Sequence, residues 1–337
     1  MLIILILIFI ALLFDFLNGM NDAANAIATV VSTRVLTPRL AVLWAAFFNF
    51  SAAFIFGLAV ANTIGKGIID PNIVDRQLIF AALFGAIIWT YLCTHYGMPI
   101  SVSHALIGGL MGAALVKAGT EPLIWAGLLK VSIFIVLSPL IGLLISFILM
   151  IIVTWSFRSW TNRKVDRVFR IGQLFSSACY SLGHGTNDAQ KTMGIIAVLL
   201  FSSNIDLPSW MYDKSQGFYI PWWVVMAAYS AIGLGTLSGG WQVIHTLGVK
   251  LTHLKPIGGF CAETGGSLVL LGTAMFGIPV STTHTIAGAI MGVGATRRLS
   301  AVRWGIVGNI VTAWILTIPA SAAMSALVYY LCDLFIG

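Results

Sequence analysis

Charge is what this chain has least of. Its 337 residues include 18 Lys and Arg and 11 Asp and Glu, 9% in all, against about a quarter in an ordinary soluble domain. So little polar surface excludes a water-soluble globule of this length. The 59% hydrophobic content, the mean hydropathy of +0.97 and apolar runs of bilayer-spanning length instead describe a polytopic helical membrane protein. Cysteine is also sparse. Cys93, Cys179, Cys261 and Cys332 stand far apart inside apolar segments, which argues against a thiolate metal centre and for buried free thiols. Met1 to Leu13 lacks the basic start and small-residue cleavage site of a secretory leader, so it reads as a retained first span. The net charge of +7 comes mostly from loop Lys and Arg. That bears on orientation in the bilayer and gives no support to nucleic-acid binding.

What the chain does contain, it contains twice. Gly19-Met20-Asn21-Asp22-Ala23 returns as Gly185-Thr186-Asn187-Asp188-Ala189, 166 positions on. Gly97, Pro99, Ser101, His104, Gly108, Met111 and Gly112 return as Gly277, Pro279, Ser281, His284, Gly288, Met291 and Gly292, each 180 positions on. Each copy therefore interrupts one apolar segment with Gly-x-Asn-Asp and another with Pro-x-Ser-x-Ser/Thr-His. Polar interruptions at matching places in two membrane halves are the best sequence pointer to a transporter's binding site.

Long helices are predicted at about 2 to 31, 40 to 63, 122 to 156, 168 to 201, 221 to 246 and 303 to 333. Two further regions differ. Gln77 to Tyr96 is apolar and then meets Gly97-Met98-Pro99, and after His104 only about a dozen apolar residues precede Lys117, too few to cross a core of about 30 Å. This is the pattern of a re-entrant hairpin with its Pro-Ser-Ser-His tip at membrane depth, and Gly259 to Phe276 with His284 to Ala295 forms its equivalent. Bare backbone at that depth must be buried in protein or line a wet cavity.

Three crossings and one hairpin per repeat require the second repeat to sit upside down relative to the first. With the N-terminus outside, the inner loops hold Arg34, Arg39, Arg158, Arg163, Lys164, Arg167, Arg170, Lys250, Lys255, Arg297, Arg298 and Arg303. The outer loops hold Lys66, Arg76, Lys117 and Lys214, partly offset by Asp70, Asp75, Glu121, Asp206 and Asp213. Twelve basic residues against four obey the positive-inside rule and put both termini outside the cell membrane. The expected organisation is a first inverted repeat over 1–157, a basic cytoplasmic joint over 158–170 and a second repeat over 171–337. The fold class is all-α and polytopic, with two inverted-topology repeats, broken helices and two re-entrant helical hairpins. The joint reads as a topology determinant on a solvated face rather than a lipid-specific site.

The chemistry follows from the interruptions. Gly19 and Gly185 would let the chain leave helical geometry, and Asn21 and Asn187 would cap the half-helices restarting behind them. Ser101, Ser103, Ser281 and Thr283 would cap the outgoing hairpin arms. Four helix N-termini would then converge near the midplane with free N–H groups, a site suited to a tetrahedral oxyanion. Asp22 and Asp188 call for a cation as well, because a lone carboxylate at bilayer depth must be paired, protonated or bound to a positive ion. A cation on each acid would make anion binding depend on cation binding, which is the essence of symport. Asn25 would add an amide oxygen to a sodium shell; its counterpart Lys191 would answer the anion or pair with Asp188.

Gly19 to Ala26 (GMNDAANA), His184 to Thr192 (HGTNDAQKT), the two Pro-x-Ser-x-Ser/Thr-His hairpins and Gly248 to Glu263 (GVKLTHLKPIGGFCAE) resemble the duplicated signature of the inorganic phosphate transporter (PiT) family. The resemblance covers nearly the whole chain. It implies a phosphate symporter coupled to sodium, or in some members to protons or carrying a metal–phosphate complex, commonly as a homodimer and with no cofactor. It places Asn21, Ser101, Ser103, Asn187, Gln190, Lys191, Ser281, Thr282 and Thr283 on phosphate-site positions, and Asp22, Asn25 and Asp188 on cation-site positions. Larger members carry a long hydrophilic loop where this chain has only its short joint.

Other residues carry weaker expectations. His104 and His284 read as caps or anchors of the hairpin tips in preference to ligands, and with no third ligand nearby at metal spacing a zinc site is not expected. Glu263, whose counterpart is Leu83, reads as a cation ligand, a partner for Lys191 or half of a structural ion pair. Gln173 is a candidate for the same cavity, Asp15 a satisfied polar residue facing the bundle, and Trp222 and Trp223 interface anchors. The rival functions are a carrier of another oxyanion such as sulfate, an intramembrane hydrolase using Ser and His, and an anion channel. Hydrolysis needs one nucleophile–base pair, and a pore needs no paired acids, whereas alternating access uses two inverted halves.

Overall fold

The computed structural model describes residues 1–55, 57–203 and 207–336; Asp206, counted above with the outer acids, lies outside them. Among the described residues there are twelve α-helices and no strand. The first half runs α1 (Leu2–Ser32), a bent pair α2 (Pro38–Ser51) and α3 (Ala59–Gly67), a hairpin α4 (Arg76–His95) and α5 (Val102–Ala118), then α6 (Trp125–Ser156). The second repeats that order: α7 (Asn162–Ser202), a bent pair α8 (Trp222–Ser238) and α9 (Trp241–His245, continued by a π turn to Lys250), a hairpin α10 (Pro256–Met275) and α11 (Thr282–Ala295), then α12 (Trp304–Ile336).

Length sorts these helices. α1 and α6 have 31 and 32 residues, or about 45 to 50 Å, enough to cross an apolar core of about 30 Å with tilt. α5 and α11, with 17 and 14 residues, fall short of a comfortable crossing. α4 is long and apolar enough to cross, so the re-entrant reading rests on where the tips lie, described below. The face of α6 bearing Leu129, Ile133, Val136, Leu140 and Leu144 is exposed, at the three- and four-residue spacing of a lipid-facing stripe.

The helix breaks are not where the Gly-x-Asn-Asp motifs predict them. α1 and α7 run unbroken through Gly19 and Gly185, and the bends fall between α2 and α3 and, by 66°, between α8 and α9. The glycines serve close approach instead. A Cβ on Gly19 would stand 2.2 Å from the carbonyl oxygen of Ile232 on α8, and one on Gly185 2.5 Å from that of Asn49 on α2. The expected half-helices at these motifs do not exist, so the motifs themselves supply no helix N-terminus to the centre.

The joint is also shorter than expected. Only residues 157–161 separate α6 from α7, and Arg163 to Arg170 form the first turns of α7. α1 and α7 lie antiparallel: Thr33 Oγ1 donates to Gln173 Oε1 at 2.8 Å and Arg170 Nη1 to the Arg34 carbonyl at 2.8 Å, whereas Asp22 faces His184 at 3.8 Å. Of the cysteines, Cys93 and Cys261 are buried as expected, Cys332 is partly buried and Cys179 is exposed. Cys179 shares the outward face of α7 with Phe175, one turn earlier.

Each hairpin packs on the last helix of the other half, α5 on α12 and α11 on α6. Gly108 and Gly112 press against the carbonyls of Ile318 and Ala322, where a Cβ would come within 2.5 and 2.1 Å. Gly288 and Gly292 do the same against Pro139 and Leu143, at 2.1 and 2.2 Å. Small residues four apart let backbones meet where lipid gives helices no hydrophobic reason to associate. Ser325 Oγ donates to the Gly109 carbonyl at 2.7 Å, and Trp314 Nε1 to that of Pro99 at 2.9 Å, fixing α12 to the first hairpin.

Candidate functional site

Both tips are built the same way. The ingoing arms end at Gly97 and Gly277, whose φ of +66° and +61° is left-handed backbone that favours glycine. The outgoing arms begin at Ser101 and Ser281, whose hydroxyls accept from the backbone N–H of His104 at 3.3 Å and His284 at 3.2 Å. These are the expected caps. Ser103 and Thr283 do not cap; they sit in the first turn, and with Thr282 they turn inward. His104 and His284 touch each other with ring centroids 4.8 Å apart, and His284 stacks on Trp314 at 3.7 Å. The two histidines thus join tip to tip.

The inward hydroxyls meet the acids of α1 and α7. Thr282 Oγ1 lies 3.1 Å from Asp22 Oδ2 and 2.8 Å from Asp188 Oδ2, and Thr283 Oγ1 donates to Asp22 Oδ1 at 3.2 Å. Asn25 Nδ2 donates to Thr283 Oγ1 at 2.9 Å and reaches Thr282 Oγ1 at 3.3 Å. Ser103 Oγ from the other hairpin is 3.5 Å from Asp188 Oδ1. Lys191 pairs with Asp188, donates to Ser103 Oγ and reaches the Val280 carbonyl at 2.9 Å, so one ammonium ties α7 to both hairpins. Asp22 lies inside α1, a helix long and apolar enough to cross a membrane, and the hydroxyls of the second tip meet it there. All these side chains are buried, the most exposed being Ser103 at 6%.

His184, absent from the expected set, completes the cluster. Its Nδ1 faces Asn49 Oδ1 at 3.0 Å, while Nε2 lies 3.1 Å from Asp188 Oδ2 and 3.8 Å from Asp22 Oδ2. Asn49 Nδ2 donates to Thr236 at 2.9 Å, which leaves its Oδ1 to accept from His184 Nδ1. Nε2 then confronts two acceptors, and it either carries a second proton or shares a cation with them. The ligand atoms of Asp22, His184 and Asp188 all lie within 4.8 Å of one another, a bay where a small cation would be surrounded. The carboxylates of this bay are those of Asp22 and Asp188, the latter also paired with Lys191.

The remaining predicted residues lie around this core or apart from it. Asn21 does not cap; its Nδ2 donates to Thr94 on α4. Asn187 Nδ2 donates to the Gly183 and Leu270 carbonyls, both at 3.0 Å. Each asparagine thus fixes its long helix to the ingoing arm of its own half, and each keeps a buried, unpartnered Oδ1. Gln190 is spent elsewhere: its Oε1 accepts from the N–H groups of Val60 and Ala61 at 3.0 and 3.1 Å, capping α3, while its Nε2 donates to the Gly57 carbonyl at 2.7 Å.

Glu263 pairs with neither Lys191 nor any other cation among the described residues. Gln173 Nε2 donates to its Oε1 at 3.0 Å, and Thr29 and Ser176 hydroxyls also bond it. This is a second buried polar cluster, about two turns along α1 from Asp22. Thr29, Ser176 and His184 were missed in the sequence because α1 and α7 were expected to break. On unbroken helices, His184 stands four residues before Asp188 and so on its face.

Residues 18–164 and 157–325 each match the model of the Phosphate transporter family, twice over one chain. A probable low-affinity inorganic phosphate transporter of Rhizobium meliloti (strain 1021) is 59% identical over 97% of this chain and 96% of its own length. One of Bacillus subtilis (strain 168) is 42% identical over 99% and 98%. The solved structure described as the sodium-dependent phosphate transporter superposes with a TM-score of 0.90 at 29% identity, covering 100% of both chains. With the acids, hydroxyls and lysine of its core drawn from both halves, and with its whole length matched, the chain belongs to the phosphate transporter family.

Proposed function

We propose that this protein is a secondary active symporter that imports inorganic phosphate with sodium by alternating access between two inverted halves. The observation that carries this reading is the meeting of Ser103 from one hairpin with Thr282 and Thr283 from the other at carboxylates on α1 and α7. Hydroxyls and the Lys191 ammonium supply donors for an oxyanion; the acids repel it until cations neutralise them. Sodium at Asp22 and Asp188 therefore precedes or accompanies phosphate. A carboxylate beside the hydroxyls also favours phosphate over sulfate, since phosphate near neutral pH keeps a proton to donate and sulfate does not. The names of the relatives and of the matched structure support phosphate and sodium in turn.

His184 favours a second reading by one observation. An imidazole nitrogen between two carboxylates is a donor set that divalent transition metals prefer to sodium, as a metal–phosphate cargo would require. Labelled-phosphate uptake into proteoliposomes decides between them, with sodium, proton and divalent-metal conditions imposed separately and sulfate as competitor. Uptake driven by an inward sodium gradient, resistant to chelators and to excess sulfate, is the expected result, and Asp22→Asn and Asp188→Asn should each abolish it. Uptake indifferent to sodium but dependent on a divalent metal would replace sodium with the second reading.

A further inference from the structure

Arg158 stands just past the end of α6, where the lipid-facing stripe of that helix runs out. Beyond Leu144 the stripe continues through Ile148, Ile151, Ile152 and Trp155, all exposed. The Arg158 guanidinium lies over the Trp155 ring, 4.9 Å from its centroid, an aromatic and basic pairing that suits the level where a span meets the headgroups. Read as a topology determinant alone, this charge would face open solvent. It instead borders two cavities of about 490 Å³ each, which share a ridge of Met150, Thr154 and Arg158, residues four apart on one face. The first cavity is walled by Phe157, Trp160, the start of α7 and Lys255, Pro256 and Ile257 at the base of α10. The second is walled by Ile151, Trp155, Thr296 and Arg297.

Neither Arg158 nor Lys255 has an acidic partner among the described residues. Asp166, which also borders the first cavity, is taken by Arg170, whose Nε donates to it at 2.8 Å. The helices that start at this cavity, α7 and α10, have no side-chain cap and no acid in the first turn, although the positive end of a helix favours negative charge. Surplus positive charge therefore lies beside an apolar groove at the end of a lipid-facing helix. A free anion would answer the charge but not the groove, and a zwitterionic lipid would fill the groove while bringing its own cation. A glycerophospholipid of net negative charge satisfies both. We propose that the cavity between α6, α7 and α10 binds the headgroup of such a lipid, with its phosphate between Arg158 and Lys255 and its chains along Ile148, Ile151 and Ile152. Arg297 flanks it from the second cavity. Because α6 belongs to the first half and α10 is the ingoing arm of the second hairpin, the lipid ties the base of that hairpin to the other half.

The test adds phosphatidylglycerol, or phosphatidylcholine with the same acyl chains, to the purified full chain in detergent. Phosphatidylglycerol should raise the melting temperature and stay bound in native mass spectra, and phosphatidylcholine should do neither. The double variant Arg158→Gln, Lys255→Gln removes two exposed charges, so it should fold as wild type does. It should need about tenfold more phosphatidylglycerol, or more, for half of the rise, since each basic residue adds to the attraction of an anionic headgroup. Arg39→Gln, at an exposed basic residue that borders neither cavity, should respond as wild type does. Equal responses to the two lipids, or a double variant as sensitive as wild type, would overturn the proposal. So would stabilisation by soluble inorganic phosphate that only the double variant loses, which would give the cavity to the free anion. A dimer that dissociates in the double variant, with no selectivity between the lipids, would overturn it too and make the α6 face an interface between two copies of the chain.

Discussion

Thr282 has one hydroxyl proton and two carboxylate oxygens within 3.1 Å. It can donate to only one of them, so the second contact is between acceptors unless that carboxyl carries a proton or a cation lies between. The same shortage recurs at His184 Nε2, and both point into the space bounded by Asp22 and Asp188. The hydroxyls of Ser103 and Thr283 are the donors that a bound oxyanion would engage on either side. Losing one hydrogen bond to a charged group costs about 1.5 to 3 kcal/mol. Ser103→Ala or Thr283→Ala should therefore weaken phosphate binding tenfold or more at saturating sodium, measured by calorimetry. Affinities within twofold of wild type in both would remove these hydroxyls from the site. Gln190 gives a contrast at the same scale: its bonds are to α3, so Gln190→Ala acts on the bend between α2 and α3 before it acts on the anion.

At the scale of the helices, the duplicated glycines do their work by contact. Gly108, Gly112, Gly288 and Gly292 set the outgoing arms against carbonyls of α12 and α6 at distances no side chain tolerates. Overpacking of this kind costs about 1 to 3 kcal/mol. Gly112→Val and Gly288→Val should each lower the melting temperature of the purified protein by several degrees. Gly119→Ala, with open space around its Cβ but φ of +69°, should cost about 1 kcal/mol through backbone strain alone. Equal small losses in all three would deny the hairpins their packing role. Element existence was plain in the sequence, because apolar length, Gly-x-Pro turns and Ser caps are local signals. The continuity of α1 and α7 was not. Gly-x-Asn-Asp reads locally as a helix break, and only the neighbouring backbones of α8 and α2 show that each glycine makes room. Of the candidate site, the acids, Asn25, Lys191, Ser103 and Thr283 were legible as repeated polar residues in apolar runs, and Thr282, whose counterpart is Val102, only through the family resemblance. Gln173 was legible as a companion of Glu263, whereas His184, Thr29 and Ser176 were hidden, since their meeting depends on α1 and α7 lying antiparallel over their length.

At the scale of the molecule, exchange between halves governs how the site must open. Each hairpin belongs to one half by sequence and rests on the other by packing: α5 on α12, with Thr246 Oγ1 donating to the Gly97 carbonyl at 2.9 Å, and α11 on α6, with Thr63 Oγ1 donating to that of Gly277 at 2.8 Å. With every core side chain buried, phosphate reaches the acids only if one tip withdraws. Lys191 and the paired histidines hold both tips at once, so opening one releases contacts that the other keeps. Under the orientation expected from the loop charges, the first hairpin would enter from outside and the second from inside, and each would gate its own face. Cysteines introduced at Ser101 and Ser281 in a background lacking Cys93, Cys179, Cys261 and Cys332 test this with impermeant thiol reagents. The first should label from outside and the second from inside, and sodium with phosphate should protect both, since a loaded carrier spends more time closed. Labelling of both from the same side, insensitive to substrate, would rule out opposed gates and restore the channel as the better description.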